Sequence, residues 1–186
     1  MNGKSQVKTK ILSCLYLQKK ILMHSNLIQH INSFNIRVYG ILKNDKNQIL
    51  VSDEFIRGDF ITKFPGGGLE FGEGTRDCLI REFMEETNLD VTIEEHIYTT
   101  DFFQISAFNN KQQIISIYYF VQANNISKLK TSTMKFDFLP QQIADKTTCA
   151  ESFRWVDWNE ISEDEMTLPI DKIVAEILQK NKPNKQ

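Results

Sequence analysis

Glu82, Glu85 and Glu86 crowd one short stretch, Arg81-Glu82-Phe83-Met84-Glu85-Glu86, and Gly66, Gly67 and Gly68 stand consecutively just upstream of it. Both features suit chemistry on phosphate. Clustered carboxylates with no His or Cys among them favour a hard cation such as Mg²⁺ or Mn²⁺. Consecutive glycines let backbone approach a ligand closely and offer N–H or C=O groups to phosphate or metal. The row is not a P-loop, because no Gly-Lys-Ser/Thr follows it. Taken alone, the E-x-x-E-E run reads as a solvated acidic face; the adjoining glycines are what favour a site.

The carboxylates need an element to present them, and the spacing predicts a helix over Thr75–Thr87. Thr75 is the expected cap, Asp77 suits the positive end, and Asn88 tolerates the left-handed conformation that closes a helix. With Leu79 at zero and about 100° per residue, Phe83, Ile80 and Met84 fall at about 40, 100 and 140°, the predicted core face. Glu85, Glu82 and Glu86 fall at about 240, 300 and 340°, a carboxylate sector opposite that face. Each like-charge pair one turn apart costs about 0.2–0.5 kcal/mol unless neutralised. Arg81 can offset one acid, either Glu85 or Glu73; the others call for a cation.

Around this helix the chain alternates strand and helix signals. His24–Phe34 reads as a short helix. Ile36–Leu42 and Gln48–Ser52 read as strands joined in a hairpin by the polar turn Asn44-Asp45-Lys46-Asn47. Phe60–Phe64 is a strand stopped by Pro65, Val91–Ile105 a bent β-rich run, and Ile114–Ala123 the most apolar strand, expected at the sheet centre. Met134–Leu139 pairs as a strand or belongs to a long loop. Ser152–Val156 is the last strand, and Ile170–Gln179 a closing amphipathic helix. The fold class is α+β, a mixed sheet with interleaved helices and not a βαβαβ array. Its expected organisation is an N-terminal extension over 1–33, helical or loosely ordered, one domain over 34–180 and a frayed tail over 181–186.

The chain has 186 residues, a formal charge of −2, 41% hydrophobic and 25% charged residues, and 13 Phe. Such a balance excludes a chain-wide basic surface for nucleic acid, and the length suits one well-buried domain. Cys14, Cys78 and Cys149 form no CxxC pair, so reduced thiols in the cytoplasm are expected. No run approaches the apolar length of about 20 residues that a membrane span needs. Lys4, Lys8 and Lys10 before Ile11–Leu17 mimic a signal peptide, but Lys19 and Lys20 interrupt and no cleavage site follows. Ile11, Leu12, Leu15 and Leu22 share a helical face that suits packing on the domain, a homodimer contact or a membrane surface. The change of character before Met23 also fits translation starting there.

From Gly67 to Leu89 the residues fit one pattern: Gly67, Glu73, Arg81-Glu82, apolar Phe83, Glu85-Glu86 and apolar Leu89. This stretch resembles the Nudix box, G-x5-E-x7-R-E-U-x-E-E-x-G-U, with Asn88 where the family has Gly. Six identities at this spacing arise by chance in about one of 10⁷ registers. Phe64-Pro65-Gly66-Gly67 also resembles the family's approach to its box.

The resemblance implies a metal-dependent pyrophosphohydrolase that cuts a nucleoside diphosphate linked to another moiety, on a mixed sheet sandwiched between helices. It implies Glu82 and Glu86 as main metal ligands, Glu85 in support and the Gly66 carbonyl as a further donor. Glu82 would also orient or deprotonate the attacking water, while Arg81 with Glu73 holds the carboxylates. Some members use an acid outside the box; Glu151 is the first candidate here and Asp145 the second. Gly67, Gly68, Arg57, Lys63 and Arg37 are candidates for substrate contact, the three cations reading otherwise as surface charges or structural pairs. Phe102, Phe103, Tyr118 and Phe153 could stack a base or simply fill the core. A nucleoside triphosphate, a nucleotide sugar and a dinucleotide all suit the site. The alternatives are a nucleotide-derivative sensor on the same fold and an isoprenoid diphosphate isomerase. The sensor would need a DNA-binding domain for which little chain follows Trp158. The isomerase would need a reactive cysteine, and Cys78 on the box helix is the nearest.

Overall fold

The computed structural model describes residues 30–181. The readings made on the N-terminal extension as far as residue 29, and on the tail from 182, lie outside them. Among the described residues, eight strands form two four-stranded sheets: β1 (Ser33–Leu42), β2 (Gln48–Ile56), β3 (Asp59–Lys63), β4 (Gly66–Gly68), β5 (Val91–Thr99), β6 (Gln112–Ala123), β7 (Thr131–Ser132) and β8 (Cys149–Asp157). One sheet runs β4-β1-β6-β5 and the other β3-β2-β8-β7. Two α-helices accompany them among the described residues, α1 (Thr75–Thr87) and α2 (Pro169–Lys180). The α+β class is the expected one, and β6 lies inside its sheet. No helix among the described residues is long and apolar enough to cross a membrane.

The chain forms two compact units. The smaller takes residues 30–35 and Phe103–Ile114, and a turn closes within it where Ser106 N–H donates to the Gln112 carbonyl at 2.9 Å. The larger takes Ile36–Phe102 and everything from Ile115 onward, and it holds both helices and every residue of the Nudix-box stretch.

Several expectations are corrected. Ser33 and Phe34 begin β1 and do not end a helix. The predicted hairpin is reduced to one bridge, Lys43 with Ile49, because β1 and β2 lie in different sheets. The reason is that β2 has no free edge: β3 pairs along one side and β8 along the other. Of the two readings of Met134–Leu139, strand or loop, the loop is the one present. It is held at its middle, with the Phe136 N–H donating to Asp53 Oδ2 at 3.3 Å and the Phe136 ring 5.1 Å from that of Phe60.

Helix α1 has the predicted limits but not the predicted cap or face. Gly74 is the N-cap residue, and its N–H donates to Asp77 Oδ2 at 3.1 Å, while the Thr75 hydroxyl bonds Tyr119 Oη. Asn88 closes the helix in the left-handed region at φ 55°, as expected. Its buried residues are Cys78, Leu79, Phe83 and Thr87; Ile80 and Met84 are 38% and 42% exposed. The inward arc is rotated because Glu82 and Glu86 also point toward the sheets, with side chains only 13% and 20% exposed. Leu79 and Phe83 join Val38, Leu42, Leu50, Val121 and Phe153 in one core cluster, so α1 packs on strands of both sheets. Gly40 makes room for this, since a Cβ there would lie 2.5 Å from Phe83 Cε2. The opposite face of β1 meets α2: Tyr39 stacks on Tyr118 at 5.2 Å, and the Tyr118 hydroxyl donates to Asp171.

Truncating Phe83→Ala should cost about 3–5 kcal/mol in chemical denaturation. Met84→Ala should stay within about 0.5 kcal/mol, as exposed positions do. Equal losses at the two positions would return the core face to the Ile80–Met84 side.

Candidate active site

Arg81 gathers the glycine strand and the helix acids into one structure. Its Nε and Nη2 donate to the two oxygens of Glu73 at 2.5 and 3.0 Å, and Nη2 also donates to the Gly68 carbonyl at 3.0 Å. Nη1 donates to Glu82 and Glu85 at 3.0 and 3.1 Å. Both offsets open in the sequence, Glu73 and Glu85, are therefore made by the same side chain. Its hydrogen bonds pull the Glu73 carboxyl down to about 2.

Gly66–Gly68 is not an open loop but the short strand β4, paired with Arg37–Tyr39 of β1. Glycine is required twice over. Gly66 has φ 130° and a Cβ there would lie 2.2 Å from the Val38 carbonyl; a Cβ on Gly67 would lie 2.3 Å from the Glu82 carboxylate. The polar groups of this strand face side chains: Gly66 N–H donates to Glu86 Oε2 at 3.3 Å, and its carbonyl accepts from Lys63 Nζ at 3.0 Å.

Beside this strand a second set of acids converges. Oxygens of Glu54, Glu86 and Glu151 lie within 4.8 Å of one another. Glu54 and Glu151 are direct partners across β2 and β8, an arrangement that is destabilising for like charges unless a cation intervenes. Lys63, buried on β3, supplies one: its Nζ lies 2.8 Å from Glu54 Oε1 and 3.9 Å from Glu86 Oε1. Burial works against the Lys63 charge, but Glu54 and Glu86 more than reverse it and hold the ammonium above its ordinary value. Burial raises the Glu86 carboxyl to about 7, with Glu151, Glu82 and Glu54 adding to the rise and Lys63 opposing it. Glu151 is also raised by burial, against the 2.6 Å hydrogen bond it accepts from Ser52 Oγ.

The structure thus brings together two of the sequence-named acids, Glu86 and Glu151, and adds Glu54, which sequence reasoning missed. A signal is present in the sequence: Asp53 and Glu54 interrupt an apolar run that continues to Ile56, so the strand extends past the expected limit at Ser52. Glu82 stands beside Gly67 in the grip of Arg81, and Glu85 is 60% exposed. Asp145 lies in an exposed turn whose Thr147 N–H and hydroxyl it accepts. Lys63 points inward at carboxylates and not outward at a ligand. Arg57 sits exposed in the β2–β3 turn at φ 56°. Arg37 is half-buried beside β4, its Nε donating to Tyr39 Oη at 2.7 Å. Tyr118 and Phe153 are core residues, and Phe102 keeps 37% exposure. Cys78 is fully buried, its thiol pushed up to about 12 by burial, so it lacks the reactivity an isomerase would require.

The donor set suits a hard divalent cation. It consists of carboxylate oxygens and one backbone carbonyl, and three acids face a single ammonium. Glu86 and Glu151, with the Gly66 carbonyl at hand, are the groups such an ion would use.

Residues 33–177 match the family model described as NUDIX domain. Solved structures share the fold. A NUDIX hydrolase from Nitrosomonas europaea is 20% identical with a TM-score of 0.57, over 80% of this chain and 90% of that one. The MutT protein from Methanosarcina mazei Go1 is 17% identical with a TM-score of 0.56, over 80% and 95%. The E. coli ORF135 protein is 16% identical with a TM-score of 0.54, over 81% and 91%.

A carboxyl raised to about 7 gives a defined pH dependence. The folded chain keeps a proton that the unfolded chain releases near 4.5, so this stabilisation is complete below 4.5 and is lost as pH rises through about 7. Asp171, raised to about 7 by burial, acts in the same window. In chelator, the melting temperature should fall by about 10 °C between pH 5 and 8. Glu86→Gln should remove part of that slope and Asp171→Asn another part. Added Mg²⁺ should flatten only the Glu86 share; a slope untouched by both Mg²⁺ and Glu86→Gln would refute the assignment.

Proposed function

The chain belongs to the Nudix family, most of whose members hydrolyse diphosphate bonds, and we propose that it is a divalent-metal-dependent pyrophosphohydrolase of a nucleoside diphosphate linked to another moiety. A nucleoside triphosphate, a nucleotide sugar and a dinucleotide fall within this class. The observation that carries the reading is the meeting of Glu86 and Glu151 beside Gly66, from a helix, a strand and the glycine strand.

Bound Mg²⁺ or Mn²⁺ would neutralise phosphate charge and lower the pKa of water at the site. The chain's own residues do the rest. Glu86 and Glu151 would hold the ion, and Arg81 with Glu73 fixes the helix against β4. Glu82, which the resemblance implies both as a metal ligand and as the group that orients or deprotonates the attacking water, stands beside Gly67 in the grip of Arg81 and takes the water's proton in this reading. The water oxygen forms the new bond to phosphorus as the bridging oxygen departs with its electron pair. Arg37 places its Nη1 beside Gly68, where it would meet a substrate phosphate. Glu85 serves as a partner of Arg81.

A panel of nucleoside triphosphates, nucleotide sugars and dinucleotides, assayed with Mg²⁺ or Mn²⁺ by phosphate release and product mass, should reveal a substrate. Glu82→Gln and Glu86→Gln should each lower kcat by about 10²–10⁴. Full activity in both variants would overturn the reading.

A further inference from the structure

Lys63 is an unexpected occupant of a group of acids suited to metal. Its register opposite Ser52 on β2 puts it on the sheet face that carries Glu54 and Glu151. It is 4% exposed. Its ammonium donates to the Gly66 carbonyl at 3.0 Å and lies 2.8 Å from Glu54 Oε1, 3.9 Å from Glu86 Oε1 and 5.8 Å from the Tyr39 ring centre. Lysine is almost never buried this deeply unless paired, and here the pairing is with the acids themselves.

We propose that Lys63 is a positioning residue that serves as a built-in cation: it withdraws Glu54 from the ligand set and limits the substrate-free site to one divalent ion, held by Glu86 and Glu151. The inference rests on the metal-dependent reading above and adds to it a stoichiometry. Three carboxylates against one ammonium leave two negative charges, which one divalent ion balances. A second ion would leave the buried group positive, with Lys63 fixed beside it. Glu54 has its near oxygen engaged by Lys63 at 2.8 Å, whereas Glu151 accepts from the neutral Ser52 hydroxyl and faces Glu54, and Glu86 takes a long bond from Gly66 N–H and stands farther from Lys63, at 3.9 Å. Lys63 also orients the Gly66 peptide. The carbonyl is bound by the lysine and the N–H by Glu86, so the carbonyl direction is set before any ion arrives.

The test is a Mn²⁺ titration of the folded, substrate-free protein, read by calorimetry and by the electron paramagnetic resonance signal of free Mn²⁺. Wild type should bind one ion at this site. Lys63→Met should bind a second ion or bind the first about tenfold tighter, and Lys63→Arg should restore wild-type behaviour. Unchanged or weaker binding in folded Lys63→Met would overturn the proposal. A second comparison does not depend on that variant folding. Glu54→Gln leaves Lys63 facing Glu86 and Glu151 and should weaken Mn²⁺ about tenfold, although Glu54 is not a ligand. Removing the pair together, as Glu54→Gln with Lys63→Met, should recover one ion at close to wild-type affinity. A double variant as weak as Glu54→Gln would make Glu54 a ligand and sink the idea. Absence of Mn²⁺ binding in wild type would instead strike the metal-dependent reading itself.

Discussion

One guanidinium fixes the geometry on which the site depends. Arg81 spends its donors on Glu73 before the helix, on the Gly68 carbonyl of the edge strand, and on Glu82 and Glu85 of its own helix. A planar fork with five donors can bind one carboxylate through both oxygens and still reach others, which an ammonium cannot. This explains how α1 tolerates three acids on consecutive turns. Glu82 and Glu85 are neutralised within the helix, so Glu86 alone is free to reach across to β2 and β8. The like-charge penalty of the helix is thereby moved to a place where a cation can relieve it.

The sheet makes a matching division by alternation. On β2, Glu54 faces α1 while Asp53 faces the other way, because successive side chains point to opposite faces. Asp53 is fully buried and accepts from Arg154 Nε at 2.6 Å, from the Thr62 hydroxyl at 2.7 Å and from the Phe136 N–H. Arg154 also pairs with Glu165. One face of β2, β3 and β8 is thus closed by a satisfied ion pair that anchors the Phe136 segment. The other face keeps Glu54 and Glu151 opposed with only Lys63 between the sheets' charges and the helix. Breaking a buried pair by removing one partner is costly, whereas removing both together is often tolerated. The closed face therefore reads as architecture. The open face carries a charge imbalance that a fold would not retain for stability.

What the sequence made legible was local. The limits of α1 and its Asn88 terminus follow from residues within a turn of each end, and the glycine–acid spacing is a linear pattern. What stayed hidden depended on partners distant in the chain. The rotated face of α1 could not be seen without knowing that Glu82 and Glu86 turn inward toward Gly67 and Gly66. The Asn44–Asn47 hairpin had the right turn chemistry, yet β3 and β8 take both edges of β2. Glu54 was hidden by ending the strand too early. Lys63 reads as a surface cation in any local window, since only the register with Ser52 shows that it points into a group of acids.

The closing helix reaches the same region by a different route. Asp171, in the first turn of α2, accepts from the Tyr118 hydroxyl at 2.7 Å; Tyr118 stacks on Tyr39; and the Tyr39 hydroxyl accepts from Arg37 Nε at 2.7 Å. All three of Asp171, Tyr118 and Tyr39 are buried. Burial raises both phenols and brings the Asp171 carboxyl to about 7, so below that value the chain of contacts carries its charge on Arg37, and above it Asp171 adds the opposite charge at the far end. A guanidinium whose Nε is bound from behind is oriented while its terminal nitrogens stay available in front. The closing helix therefore sets the direction of Arg37, one of two sequence-named cations beside β4; the other, Lys63, donates to the Gly66 carbonyl. Arg81 fixes where the acids are, Lys63 sets a positive charge among them, and α2, through Tyr118 and Tyr39, fixes the direction of Arg37.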